Sequence, residues 1–244
     1  MIQAVKPSMS KTPIKSETQT INALILAGGQ SQRFDYNDKG LIHFLNKPMI
    51  AHIFERIAPQ VMSISISCNR NFDQYQSIYE DYYQTLAIQP YSTTMPICFK
   101  DNSESPLQGP LAGIASYLEY CDSDTIFICS CDMPMIPRDI VQQLSNAMNE
   151  SNADASYPVD ENGHHHLALL IKRSAAVDAL QQLLTASELE NSSAERKTKT
   201  KTHSIKNWLN QINSHKILIN SHAIGFADIN SVMDMALIEQ KTEQ

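Results

Sequence analysis

The stretch that most constrains the fold is LILAGGQSQRFDYNDK, residues 24 to 39. The apolar run Ala23-Leu24-Ile25-Leu26 passes straight into Ala27-Gly28-Gly29. A buried strand that empties into a glycine turn sets backbone N–H groups at the carboxyl edge of a sheet, where open α/β sheets bind ligands. Glycines let the main chain come close to a phosphate, and Arg33 and Lys39 bring positive charge to the same mouth. A glycine pair alone reads as an ordinary strand-to-loop turn. Two cations just beyond it shift the reading towards a polyphosphate. The spacing is neither G-x-G-x-x-G nor G-x-x-x-x-G-K-[ST], which excludes the dinucleotide and P-loop fingerprints.

With 244 residues the chain is long enough for one sizeable buried core. A net charge of −7 argues against a broad nucleic-acid or anionic-membrane surface, so positive charge should be concentrated at a site. No apolar stretch approaches the ~20 residues of a membrane helix, and residues 1–20 lack the hydrophobic core of a secretory signal. The 5 cysteines are odd in number and follow no zinc spacing, so they read as reduced thiols in a cytoplasmic protein.

Strands and helices alternate from Ile21 to Met148. Met49, Ile50, Ile53, Phe54 and Ile57 recur at helical spacing behind Pro48. Residues 61–67 are β-branched and alternating, as in a strand. Residues 72–86 fit a helix whose Tyr75, Tyr79, Tyr82 and Tyr83 pack on the sheet edge rather than stack a base. Residues 97–99 form a third strand ending at Asp101. Gly109-Pro110-Leu111-Ala112-Gly113 opens a helix, and a strong strand from Thr125 to Cys131 ends at Asp132. This alternation predicts an α/β fold with a doubly wound, mostly parallel sheet. Asn162-Gly163 predicts a small β-hairpin extension between residues 155–159 and 167–171. Residues 217–219 and 224–226 read as late strands. Residues 1–20 read as a disordered tail, and residues 21–244 as a single domain carrying a flexible polar insertion at about 187–202.

Several carboxylates and histidines invite chemistry. Asp132 closes a central strand and faces the crevice. Magnesium takes one or two carboxylates plus phosphate oxygens, so Asp132 suffices as a ligand. The competing role is an N-cap for the helix expected at 138–148, but Pro134 and Pro137 place that helix start too far along. Asp101 on its own reads as a turn residue. His164, His165 and His166 alternate sides of a strand and cannot all bind one ion.

Leu26-Ala27-Gly28-Gly29, Arg33 and Asp38-Lys39-Gly40 resemble, in register, the nucleotidyltransferase pattern L-A-G-G, three variable residues, R-M-G-G, one residue, D-K-G. The unbroken G-P-L-A-G at 109–113 and C-D-M-P at 131–134 narrow the resemblance to molybdenum cofactor guanylyltransferases, the MobA type. That resemblance implies the Rossmann-like nucleotidyltransferase fold. It also implies transfer of GMP from Mg·GTP to the terminal phosphate of molybdenum cofactor (Mo-molybdopterin), with pyrophosphate released. By the same resemblance Arg33, Lys39 and Asp132 are catalytic. Leu26, Ala27, Gly28, Gly29, Lys39, Asp101, Gly109 and Asp132 bind nucleotide, and His165 and Asn230 meet the acceptor substrate. Asp132 and Asp228 hold Mg²⁺, and cofactor-delivery or acceptor proteins are further partners. The chain departs from the pattern at Phe34, Asp35 and Tyr36 in the first loop, at Ser67 for an Asn, at His166 for a Pro and at Asp228 for an Asn. A cytidylyl- or sugar-phosphate nucleotidyltransferase, or a nucleotide-binding protein without turnover, stays open as an alternative.

Overall fold

The computed structural model describes residues 20–28, 38–85, 96–102, 105–192, 204–219 and 224–242. Gly29, Arg33, Phe34, Asp35 and Tyr36, the expected tail up to residue 19 and residues 193–203 lie outside the described residues. In chain order the elements begin with β1 (Ile21–Leu26), a 3-10 turn (Lys39–Leu41), β2 (His43–Phe44), β3 (Lys47–Pro48), α1 (Met49–Ile57) and β4 (Ser63–Ser67). Then follow α2 (Phe72–Thr85), β5 (Cys98–Phe99), α3 (Pro110–Tyr120), β6 (Thr125–Ser130) and α4 (Ile140–Ser151). The last part holds β7 (Ala155–Asp160), β8 (Gly163–His164), β9 (Ala168–Lys172), α5 (Arg173–Ser192), α6 (Ile205–Leu209), β10 (Ser214–Leu218) and α7 (Val232–Thr242).

The main sheet runs β10-β7-β9-β6-β1-β4-β5, with β8 paired to β7. β1 is parallel to both β4 and β6, and β4 is parallel to β5. The chain winds outward from β1 to β4 and β5, then returns through α3 to β6 on the other side of β1. The winding direction therefore reverses between β1 and β6, and their carboxyl ends flank the crevice where such sheets bind ligands. The expected mostly parallel sheet is present, with β9 running against both β6 and β7 and the short β8 running against β7. The hairpin expected between residues 155–159 and 167–171 is divided: the Asn162-Gly163 turn, where Asp160 Oδ1 accepts from the Asn162 and Gly163 N–H groups at 2.8 and 3.1 Å, returns as the two-residue β8, while β9 meets β7 at Ala155 and Ser156. A separate two-stranded ribbon, β2–β3, precedes α1.

Alternating side chains feed two cores. Ala23 and Ile25 of β1, Ile64 and Ile66 of β4 and Phe127 and Cys129 of β6 pack under α1, α2 and α4. Leu24 and Leu26 of β1 and Ile126 and Ile128 of β6 pack under α3, α5 and α6, where Trp208 is fully buried. All five apolar residues predicted for the α1 face are buried, each stabilising the fold by about 1.5–3 kcal/mol. Tyr75, Tyr79 and Tyr83 are buried in the first core, as their packing role requires. All five cysteines are free.

Two local expectations change. Residues 224–226 form a turn rather than a strand, with Phe226 buried beneath the His165 ring. The α5 backbone continues to Ser192, so the first part of the predicted insertion, 187–192, is helical, and the remainder lies outside the described residues.

Candidate active site

Four parallel strands end on one rim: β1 brings backbone there, and the other three each deliver a polar side chain. β1 hands over to Ala27 and Gly28, whose start is pinned by the Ala27 N–H donating to Ser67 O at 2.8 Å. β4 leads to Asn69, β5 to Asp101 and β6 to Asp132. Opposite β5, α3 begins at Gly109, where φ is +61°, a conformation that favours glycine. With Pro110 at the first turn, the free N–H groups of α3 face the rim.

The Asp38-Lys39-Gly40 turn points its two charged residues in opposite directions. Asp38 is buried and accepts from the Tyr75 hydroxyl and from Asn71 Nδ2 at 3.4 Å, with Arg70 Nε at 3.6 Å. Burial, aided by the Asp38 carboxylate beside it, pushes the Tyr75 hydroxyl up, so it stays protonated and donates. Lys39 faces the other way. Its ammonium lies 3.2 Å from Asp132 Oδ2 and donates to Asn230 Oδ1 at 2.6 Å. Residues 39, 132 and 230, far apart in sequence, thus meet at one cation. Lys39 is not paired with Asp38, the plain surface pairing that its sequence neighbour offers.

Asp132 is well upstream of Asp139, the N-cap of α4. Its Oδ1 is buried without a hydrogen-bond partner among the described residues, although buried polar atoms are ordinarily satisfied. Asp228 is exposed at the crevice mouth. Partial desolvation of its carboxyl group, then the negative charge of Asp132, pushes that carboxyl up to about 6. An orphaned carboxylate oxygen beside a second carboxylate is a hard, all-oxygen donor set. Among the described residues no group of three or more His, Cys, Asp or Glu is gathered as a metal cage.

Asn230 is set by α7. Its N–H donates to Asp234 Oδ2 at 2.9 Å while the Asp234 N–H donates to Ser231 Oγ at 3.2 Å, so the capped helix start also holds Asn230. The Ile229 N–H donates to Asp132 O at 2.9 Å. His165 Nε2 lies 2.8 Å from Asp160 Oδ1, and its ring stacks on Phe226 at 4.7 Å. Against burial, which raises it, His165 and the Asn162 N–H hold the Asp160 carboxyl below its ordinary value. His165 therefore braces the segment that leads to Asp228 and Asn230. His164 and His166 lie together against Tyr157.

Of the sequence-predicted residues, Lys39, Asp132, Asn230 and Asp228 gather at one end of the crevice. Leu26, Ala27, Gly28, Gly109 and Asp101 mark the strand ends and helix start beside it. Three residues have roles that the sequence did not assign: Tyr75, which holds Asp38, and Ser67 and Asn69, which hold Asp101 through bonds of 2.5 and 3.0 Å. For Asn69 the signal was its place just past the end of a parallel strand.

The MobA-like NTP transferase domain matches residues 23–200. The molybdenum cofactor guanylyltransferase of Shewanella amazonensis is 33% identical over 168 residues, covering 69% of this chain and 76% of that protein. The molybdenum cofactor guanylyltransferase of Pasteurella multocida is likewise 33% identical over 168 residues, covering 69% and 80%. Among solved structures, molybdopterin-guanine dinucleotide biosynthesis protein A from Archaeoglobus fulgidus superposes with a TM-score of 0.61 at 17% identity, covering 91% of this chain and 98% of that one. At that identity it supports the fold alone.

Proposed function

The chain belongs to the MobA-like NTP transferase family, and on that premise we propose that it is a molybdenum cofactor guanylyltransferase. It transfers GMP from GTP to the terminal phosphate of molybdenum cofactor. The acceptor phosphate oxygen bonds to the α-phosphorus as the bond to the β-phosphate oxygen breaks, and pyrophosphate leaves. This direct displacement needs no protein nucleophile; catalysis lies in positioning and in charge placed where charge develops.

The observation that carries the proposal is the meeting of Lys39 with Asp132 and Asn230 beside the orphaned Asp132 oxygen. Lys39 supplies a point charge for phosphate oxygens, and Arg33 is assigned the same role from the first loop. Asp132, with Asp228 as second carboxylate, would hold Mg²⁺, which when bound supplies positive charge against the phosphate oxygens. Gly28 and the α3 start at Gly109 offer backbone N–H groups to the nucleotide, and Asp101 accepts from it. Asn230 orients the acceptor side, with His165 bracing that segment from behind. Five free thiols suit a reducing compartment, the cytoplasm. Among the described residues no helix is long and apolar enough to cross a membrane.

The test is pyrophosphate release from Mg·GTP and from Mg·CTP, each with molybdenum cofactor as acceptor. Release with GTP well above CTP is expected. Equal or faster release with CTP overturns the guanylyl assignment, and nucleotide binding without release with either one overturns turnover.

A further inference from the structure

We propose that Asn69 is a positioning residue that aims the Asp101 carboxylate at the nucleotide, an assignment that rests on reading Asp101 as a nucleotide contact. Strands β4 and β5 lie in register, Ser67 opposite Phe99. Just beyond the pairing, the Asn69 side chain reaches across and bonds one residue twice. Its Nδ2 donates to Asp101 Oδ2 at 3.0 Å, and its Oδ1 accepts from the Asp101 N–H at 3.2 Å. Ser67 Oγ donates to the other carboxylate oxygen at 2.5 Å. Both oxygens of Asp101 are thus fixed from the same strand, and its backbone is fixed with them.

An ionised carboxylate has about four acceptor sites. Two are occupied from β4, which leaves Asp101 able to take a pair of donors from a ligand in a fixed direction. The clasp also lies against the glycine turn: a Cβ on Gly28 would sit 2.9 Å from Asn69 Nδ2 and 3.5 Å from Asp101 Oδ2. A ligand whose phosphates rest on that turn therefore has its nucleoside end within reach of Asp101. Two parts of GTP present paired donors, the N1–H and 2-amino edge of guanine and the ribose 2′,3′-diol. Asn69 itself is exposed at the rim. A residue needed only to hold the strands together has little to gain there, because exposed surface side chains contribute little to stability. A residue that orients a ligand group has to sit at the rim.

Calorimetric titration with GTP and steady-state kinetics on Asn69→Ala, Asn69→Asp, Asp101→Ala and the exchange Asn69→Asp/Asp101→Asn form the test, each with its melting temperature. Asn69→Ala should weaken GTP binding and raise KM for GTP about tenfold, the scale of one charge-assisted hydrogen bond misaligned, with kcat and melting temperature moved far less. Asn69→Asp should be worse, since it faces one carboxylate with another. The exchange variant rebuilds the cross-strand bond with its polarity reversed and moves the carboxylate to residue 69. It should melt like the parent and still bind GTP poorly. Repeating the Asn69→Ala titration with ITP and 2′-deoxy-GTP assigns the donors: the defect shrinks with the analogue that lacks the group Asp101 receives. Parent-like GTP affinity in Asn69→Ala, or affinity restored in the exchange variant, overturns the positioning role. Asp101→Ala with parent-like affinity overturns the nucleotide contact itself, and the positioning role with it.

Discussion

At residue scale the site turns on Asp132. Its two oxygens have different fates: Oδ2 is engaged by Lys39, and Oδ1 is buried and unpartnered. Such an oxygen ordinarily costs a fold about 1–3 kcal/mol unless something fills the position. Asn is nearly isosteric with Asp and caps helices about as well, so Asp132→Asn separates charge from shape. The α4 cap is Asp139, which removes the structural objection to the substitution. We expect Asp132→Asn to fold normally by circular dichroism, to lose Mg²⁺-dependent protection against thermal unfolding, and to release pyrophosphate on the order of 10²-fold more slowly. Turnover at the parent rate with an unchanged Mg²⁺ dependence would remove Asp132 from the mechanism. Sequence placed Asp132 at the crevice because its strand is an unbroken apolar run with one plausible position, the sheet centre. It could not show that Lys39 and Asn230 share Asp132's neighbourhood, because those contacts span 93 and 191 residues.

At the scale of elements, the fit of α3 on the sheet joins stability to nucleotide geometry. The serines of β4 face α3 while its isoleucines face the first core, and Gly113 lets the helix come down onto them. An added Cβ there would lie 2.6 Å from Ser67 Oγ, 3.0 Å from Leu26 Cδ2 and 3.1 Å from Asp101 Oδ1. Ser67 cannot swing aside without releasing Asp101. Gly→Ala in a helix ordinarily gains about 0.5–1 kcal/mol, whereas overpacking costs about 1–3 kcal/mol, so the clash wins. Gly113→Ala should lower the urea midpoint and weaken GTP binding together; a more stable variant with parent affinity would mean that α3 shifts freely. Elements of this kind were legible where burial is two-sided and local, as in β1, β6 and the α1 face. The place of β9 was legible only in part: the Asn162-Gly163 turn announces an antiparallel return towards β7, but nothing local in Ala168–Lys172 states that the strand inserts between β7 and β6. The turn at 224–226 misled because an apolar triplet suits a buried turn as well as a strand. The α5 extension to Ser192 was hidden because a polar stretch containing Glu and Leu propagates a helix despite lacking an apolar face.

Across the whole molecule, two large cores hold the sheet, and a third, small one decides whether the site's two halves meet. Phe44, Met49, Ile229 and Ile238 form that cluster, with Ile42 packed against it. It joins the segment just after Lys39 to the segment just before Asn230, so the chain's beginning and end are fixed on a common support. Ile229 is fully buried, and its N–H bonds Asp132 O at 2.9 Å. The other end of the crevice, at Asp101 and Gly109, which the proposed function gives to the nucleotide, is built on β5 and α3, and no described residue of those two elements belongs to this cluster. Ile229→Ala should therefore cost about 2–5 kcal/mol of stability and damage the two substrates unequally. KM for the acceptor should rise severalfold through a loosened Asn230, while GTP affinity stays near the parent value. Ile229→Val, which costs only about 0.5–1.5 kcal/mol, should restore most of both. The measurement is a pair of titrations below the variant's melting transition, acceptor varied at saturating GTP and GTP binding by calorimetry. Equal losses for the two substrates would show that the third cluster supports the fold as a whole without singling out Asn230. An acceptor KM unchanged in Ile229→Ala would detach Asn230 from acceptor binding altogether.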